Sequence, residues 1–139
     1  MSSFIPVSLL VPYRIRDNKI QLFMQIREED GPLNGLLEFP GGKIEASESP
    51  EEAAIREFSE EVEVITGTCD RFKIYKFDYP DRCVCLFVNI MRIEDKEFRK
   101  GSWTELPETF SEDFWSNKVP DANIDILKDL TKFFGEQSF

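Results

Sequence analysis

Four glutamates stand at fixed offsets behind a pair of glycines. After Gly41-Gly42 come Glu48, Glu57, Glu60 and Glu61, with Arg56 directly before Glu57. Carboxylates are hard oxygen donors, and several together select a cation such as Mg²⁺ or Mn²⁺ over a softer metal. The chain has no histidine, which removes the usual zinc ligand and the usual general base. Catalysis must then run on carboxylates, lysine, tyrosine or metal-bound water. On a helix turning ~100° per residue, Glu57, Glu60 and Glu61 share one arc. Like charges on neighbouring turns destabilise a helix, so a purely structural helix gains nothing from the arrangement, whereas a divalent cation wants several carboxylates at once. A solvated acidic face is the plainer alternative for clustered glutamate; the spacing favours the metal. Arg56, four residues before Glu60, is placed to hold Glu48 or Glu60 by a two-pronged hydrogen bond. Gly41-Gly42, read as a turn, brings backbone carbonyls or amides close to phosphate or metal, which adds Gly41 to Glu57, Glu60 and Glu61 as a candidate metal contact.

The elements that must position these groups are legible around them. Ser49-Pro50-Glu51-Glu52 combines a capping box with proline at the first helical position, so a helix is expected from Pro50 to about Val62. Its apolar stripe is Ala54, Ile55, Phe58 and Val62. Strands are expected over Phe4–Arg16 and Ile20–Ile26 with a turn at Asn18, then a loop over Glu28–Gly35 and a short strand Leu36–Phe39. Arg71–Tyr79 and Cys83–Arg92 read as a strand pair joined by Pro80-Asp81-Arg82. A charged loop covers Glu94–Gly101, a short strand Ser102–Leu106 and a helical turn Ser111–Trp115. The last helix is expected over Ile124–Phe134, with Ile126, Leu127, Leu130 and Phe134 inward. Strands, a helix, more strands and a terminal helix predict an α/β fold with a mixed sheet between helices.

At 139 residues the chain is expected to be one domain over 1–139 with a core that needs no staples. The net charge of −10 is concentrated between Glu38 and Glu63, where nine acidic residues face only Lys43 and Arg56. Such a field repels phosphate unless cations intervene, and it excludes a nucleic-acid polymer as partner. Three cysteines, Cys69, Cys83 and Cys85, do not make a disulfide framework; Cys83 and Cys85 are expected as buried thiols on one strand face. No apolar stretch is long enough for a membrane helix and no leader pattern opens the chain, so a soluble cytoplasmic protein with no membrane partner is expected, as monomer or homodimer.

Residues Gly42 to Val64 resemble the Nudix box: Gly, five residues, Glu, seven, then Arg-Glu-hydrophobic-any-Glu-Glu-any-Gly-hydrophobic. Every defined position matches except one, Glu63 standing where the pattern has Gly. The resemblance implies an α/β/α sandwich and hydrolysis of a nucleoside diphosphate linked to some group X. It implies Mg²⁺ held by Glu57, Glu60 and Glu61, with Glu48 and Arg56 shaping the site. The family glycine is expected to end the helix in a left-handed conformation, so Glu63 in its place is expected to cost on the order of 1 kcal/mol.

Similarity to the MutT-type branch of the family extends further. It rests on Leu37-Glu38-Phe39-Pro40-Gly41-Gly42-Lys43-Ile44-Glu45, on Tyr79-Pro80-Asp81-Arg82 and on Pro120-Asp121-Ala122-Asn123. It implies that Asn123 reads a purine edge, that Arg27, Arg82 and Lys43 contact the nucleotide and that Phe39 lines the base pocket. Glu97, six residues before Trp103, would be the loop carboxylate acting as general base. Each has a simpler alternative. Asn123 is also a favoured N-cap, Arg82 a turn residue and Phe39 a core ring. The activity implied is a nucleoside triphosphate pyrophosphohydrolase acting on dGTP-type nucleotides, oxidised guanine among them. The alternatives are another Nudix substrate (a pyrimidine triphosphate, a nucleotide sugar or ADP-ribose) and a non-catalytic nucleotide-sensing module suggested by the break at Glu63.

Overall fold

The structure, a computed structural model, describes residues 3–28 and 30–137; one position of the expected Glu28–Gly35 loop, Glu29, lies outside them. The chain runs β1 (Ser3–Arg16), β2 (Lys19–Ile26), β3 (Leu37–Glu38), β4 (Gly41–Lys43), α1 (Pro50–Glu61), β5 (Asp70–Tyr79), β6 (Arg82–Arg92), β7 (Ser102–Glu105), α2 (Glu112–Trp115), a 3-10 turn Asp121–Asn123, and α3 (Ile124–Gly135). The long β1 is the axis of a mixed sheet. It pairs parallel with β6 along one edge and antiparallel on the other, first with β4 at Val7 to Leu9 and then with β2 at Tyr13 to Arg16. Beyond β6 lies β5; beyond β2 lie β7 and β3.

The two faces follow from the period of two along β1. Val11, flanked by Val7, Leu9, Tyr13 and Ile15, packs with Leu22, Met24, Val88, Trp115 and the inner residues of α3, Ile126, Leu127, Leu130 and Phe134. Leu10 points the other way, against Phe23, Ala54 and Phe58 of the α1 side. The sheet is thus sandwiched between α1 and α3, the α/β/α arrangement expected. The β1–β2 hairpin closes through Asp17 (φ 53°) and Asn18 (φ 64°), two residue types that tolerate the left-handed region a two-residue hairpin needs.

Differences from expectation are local. Gly41-Gly42 is not a turn but part of β4, with Gly41 opposite Leu9 and Gly42 opposite Ser8. Its glycines serve close approach: a Cβ on Gly41 would run into the Ser8 carbonyl oxygen and Leu9. Glu63 is not left-handed. Val62 caps α1 at φ −117° and the Glu63 amide still reaches Phe58 O at 3.4 Å, so the expected backbone cost does not arise. Cys83 and Cys85 are half-buried rather than buried, at the start of β6 where it pairs with Phe4 to Pro6 of β1. The strand expected over Leu36–Phe39 shrinks to Leu37–Glu38, and the 3-10 turn preceding α3 was not expected at all.

Candidate active site

The helix that carries the acidic residues is pinned at its start. Ser49 Oγ accepts from the Glu52 amide at 3.0 Å and Glu52 Oε1 accepts from the Ser49 amide at 2.9 Å, the reciprocal box the sequence suggested. Pro50 gives up its carbonyl to Ser8 Oγ–H at 2.6 Å. Asn89, fully buried, donates in turn to Ser8 Oγ at 2.9 Å. The first turn of α1 is therefore tied to the middle of the sheet by a buried polar chain, and its next two turns run over β4.

There Glu57 lies flat against Gly42, so that a Cβ on that glycine would sit 2.5 Å from the Glu57 carboxyl carbon. One turn on, Glu61 Oε2 accepts from the Gly41 amide at 3.2 Å and from Gln25 Nε2 at 3.0 Å. Burial pushes the Glu61 carboxyl above its ordinary range, the Gln25 and Gly41 hydrogen bonds oppose that, and the Glu57 and Glu38 carboxylates add to it. Glu60, by contrast, is 60% exposed.

Arg56 is the cation inside this acidic ring. Its Nε donates to Glu48 Oε2 at 2.6 Å and its Nη2 to Glu48 Oε1 at 3.0 Å, the two-pronged geometry that fits a guanidinium to a carboxylate. Nη1 donates to Glu57 Oε1 at 3.1 Å and to Glu60 at 3.4 Å, while Nη2 also reaches the Lys43 carbonyl at 3.1 Å. The Glu48 hydrogen bond leads the causes that raise the Arg56 pKa, and the Arg56 bond leads those that lower Glu48. Because Glu48 Oε1 also accepts from the Glu45 amide at 2.9 Å, the 44–48 segment is fastened to α1 through one side chain.

The donor set fits a hard divalent cation in chemistry: carboxylate oxygens, no imidazole, and Glu61 held near other acids whose repulsion such an ion would relieve. Its side chains do not converge on one point; among the described residues no three acidic or thiol groups are gathered as a ready-made metal cage. Arg56 draws Glu57 and Glu60 toward itself.

The remaining sequence candidates fall on three other elements. Arg27, just after β2, pairs with Glu38 of β3 at 3.1 Å. Phe39 is 3% exposed and belongs to the core on the α3 side. Asn123 closes the 3-10 turn on that same side. Its side chain is not a cap: it makes no hydrogen bond to the helix and has no partner among the described residues, although the residue is only 8% exposed. The amide of Leu37 donates to the Lys118 carbonyl at 2.7 Å, which fastens β3 to the segment leading into Asn123. Lys43 is exposed on β4. Arg82 is exposed at the β5–β6 turn with its guanidinium 5.1 Å from the Tyr79 ring. Glu97 is separate from the α1 carboxylates. It is 77% exposed and pairs with Arg14 at 2.7 Å.

Two members of this arrangement escaped sequence reasoning. Gln25 follows Phe23 by two residues on β2, and Phe23 packs on Phe58 of α1; strand alternation alone puts Gln25 on the α1 face. Arg14 shares the face of Leu10 by the same rule. A polar residue at an inward position of an apolar strand was the available signal for both.

Known proteins supply a matching frame. A profile of the NUDIX domain matches residues 7–118. An 8-oxo-dGTP diphosphatase of Escherichia coli K12 is 34% identical over 123 residues, covering 85% of this chain and 92% of the relative. An ADP-ribose pyrophosphatase of Methanocaldococcus jannaschii is 30% identical over 125 residues, covering 85% of this chain and 69% of the relative. Among solved structures, the MutT protein of Methanosarcina mazei Go1 superposes with a TM-score of 0.70 at 18% identity, covering 98% of both chains. With Glu57, Glu60 and Glu61 of the box on α1, the glycines of β4 beneath them and a family profile spanning most of the sequence, the chain belongs to the Nudix family of hydrolases.

Proposed function

We propose that this Nudix hydrolase is a metal-dependent nucleoside triphosphate pyrophosphohydrolase of MutT type, working as a single domain. It would cleave dGTP-type nucleotides, oxidised guanine included, to the monophosphate and pyrophosphate. The observation that carries the base assignment is Asn123, a residue 8% exposed whose side-chain amide makes no hydrogen bond among the described residues and so has its polar atoms open to a ligand. A purine edge, which mixes donors and acceptors, suits an amide that offers both. The 34% identity to the E. coli 8-oxo-dGTP diphosphatase supports the same reading.

Glu57, Glu61 and Glu60, with the Gly41 backbone, would hold Mg²⁺ or Mn²⁺. When bound, such an ion neutralises phosphate oxygens and activates water. The chain's own groups do the rest. Arg56 orients Glu48 and Glu57, Gln25 and the Gly41 amide orient Glu61, and the glycines of β4 let a polyphosphate approach the backbone. Lys43, Arg82 and Arg27, the last already paired with Glu38, are the cations proposed to contact the nucleotide, and Phe39 backs the base side. Glu97 is the candidate general base on the loop after β6.

The test is pyrophosphate release with Mg²⁺ across oxidised dGTP, the ordinary triphosphates, ADP-ribose and nucleotide sugars. A preference for guanine nucleotides that Asn123→Ala removes, while other turnover survives, is expected. The M. jannaschii relative supports a second reading, in which ADP-ribose is the preferred substrate; a preference for it would discard the role of Asn123 and keep the acidic site. A nucleotide-sensing module without turnover is the third, and hydrolysis abolished by Glu61→Gln would remove it.

A further inference from the structure

Glu63 breaks the box pattern, and its side chain has a definite destination. Its Oε2 lies 3.0 Å from Lys96 Nζ, on the 94–101 loop between β6 and β7. Lys96 is held from two other directions. Its carbonyl accepts from Trp103 Nε1 at 3.2 Å and from Arg14 Nη1 at 3.4 Å. The same Arg14 nitrogen donates to Glu97 Oε1 at 2.7 Å while the guanidinium stacks 4.3 Å from the Trp103 ring. Next along the loop, Phe98 packs edge-on against Phe58 of α1 at 5.2 Å and against Phe23 at 4.9 Å. The loop thus grips the sheet through Arg14 and Trp103, and grips α1 through Phe98 and the Lys96–Glu63 pair.

We propose that Glu63 is a positioning residue, which with Lys96 latches the 94–101 loop to the exit of α1 and so sets where Glu97 stands relative to Glu57 and Glu61. The inference rests on the hydrolytic reading of the α1 site. A glycine at position 63 has no side chain to reach the loop, so the latch is a property of this chain's departure from the box. The pair is exposed on both sides, 45% for Lys96 and 38% for Glu63, which limits its effect to about two- to fivefold and makes it sensitive to salt.

The experiment compares the whole protein with Glu63→Gln, Lys96→Met and the charge swap Glu63→Lys/Lys96→Glu. Two readouts are taken: steady-state kinetics on the best triphosphate, and hydrogen exchange of the amides over 94–101. Either single change is expected to lower kcat about two- to fivefold with KM unmoved, because nucleotide contacts lie on other elements, and to speed exchange in the loop. The swap is expected to restore both. Added KCl should bring wild-type kcat toward that of the single variants. Unchanged exchange in the single variants overturns the latch; faster exchange with unchanged kcat overturns its positioning role. A wild-type protein that turns over no nucleotide overturns the hydrolytic reading and the positioning role with it, a result distinct from any difference between variants.

Discussion

Gly41 and Gly42 are neighbours of the same type, yet a methyl group on each would meet different obstacles. On Gly42 it would press against the end of the Glu57 side chain, whereas on Gly41 it would press against the backbone of β1. A side-chain terminus can swing away; a paired strand cannot without moving the sheet. Gly42→Ala is therefore expected to fold with near-normal stability and to lose at least about tenfold in kcat, because it displaces a carboxylate proposed to hold the metal. Gly41→Ala is expected to destabilise by about 1–3 kcal/mol, the range for overpacking a filled interior. Thermal melts and kinetics on the two variants check this, and equal melting losses would show that Glu57 is not free to move. A second residue-scale prediction concerns acid. Glu94 is held down to about 2 by hydrogen bonds from Arg92, Arg16 and the Ile15 amide, against an ordinary value of 4.5. A depressed carboxylate stabilises the fold fully above its unfolded pKa, and that contribution drains as the pH falls from about 4.5 toward 2. Partial exposure discounts it to about 1 kcal/mol. Urea midpoints at pH 6 and pH 3 should differ less in Glu94→Gln than in the wild type.

Helix α1 shows what the sequence makes plain, and β4 shows what it hides. The Ser49–Glu52 box, Pro50 and the Ala54–Phe58 stripe announce the helix because its start signals and its packing face lie within a few residues of one another. The structure returns it as Pro50–Glu61. Ser49→Ala removes the acceptor for the Glu52 amide and is expected to cost about 1 kcal/mol, read from denaturant midpoints; a change below a few tenths would mean that the Ser8 tie to Pro50 holds the helix start by itself. The three residues of β4 carry no such local signal. Gly-Gly is the most turn-prone of pairs, and here it is extended only because β1 offers a free edge at Val7 to Leu9 some thirty residues earlier in the chain. The same limit explains Glu63. The path of a helix exit depends on the residues beyond it and on the partner its side chains meet, and Lys96 lies 33 positions away. Asn123 is subtler, since its type fitted a cap; the missing cap bond is visible only in the folded chain, and base reading is what we propose for it.

At the scale of the molecule, the acidic charge and the sheet architecture act together. The sandwich places α1 on one side and the core of Phe39 and α3 on the other, so on the proposed reading a nucleotide would bridge the two layers, phosphates toward α1 and base toward Asn123. The 38–63 stretch carries most of a net charge of −10, with Arg56 the cation that Glu48, Glu57 and Glu60 share. Self-repulsion of this kind lowers the stability of the folded state, and a cation at the proposed site would relieve it. Divalent ion should then stabilise the whole fold by mass action, about 2.7 kcal/mol at a hundred times the dissociation constant. Melting measured with MgCl₂ against NaCl at equal ionic strength separates binding from screening. A larger rise with Mg²⁺, lost in Glu61→Gln and kept in Glu94→Gln, is expected if the ion is held over β4. Equal rises with the two salts would mean that the acidic surface is merely screened, and the carboxylates of α1 would then need the nucleotide itself to assemble around a metal.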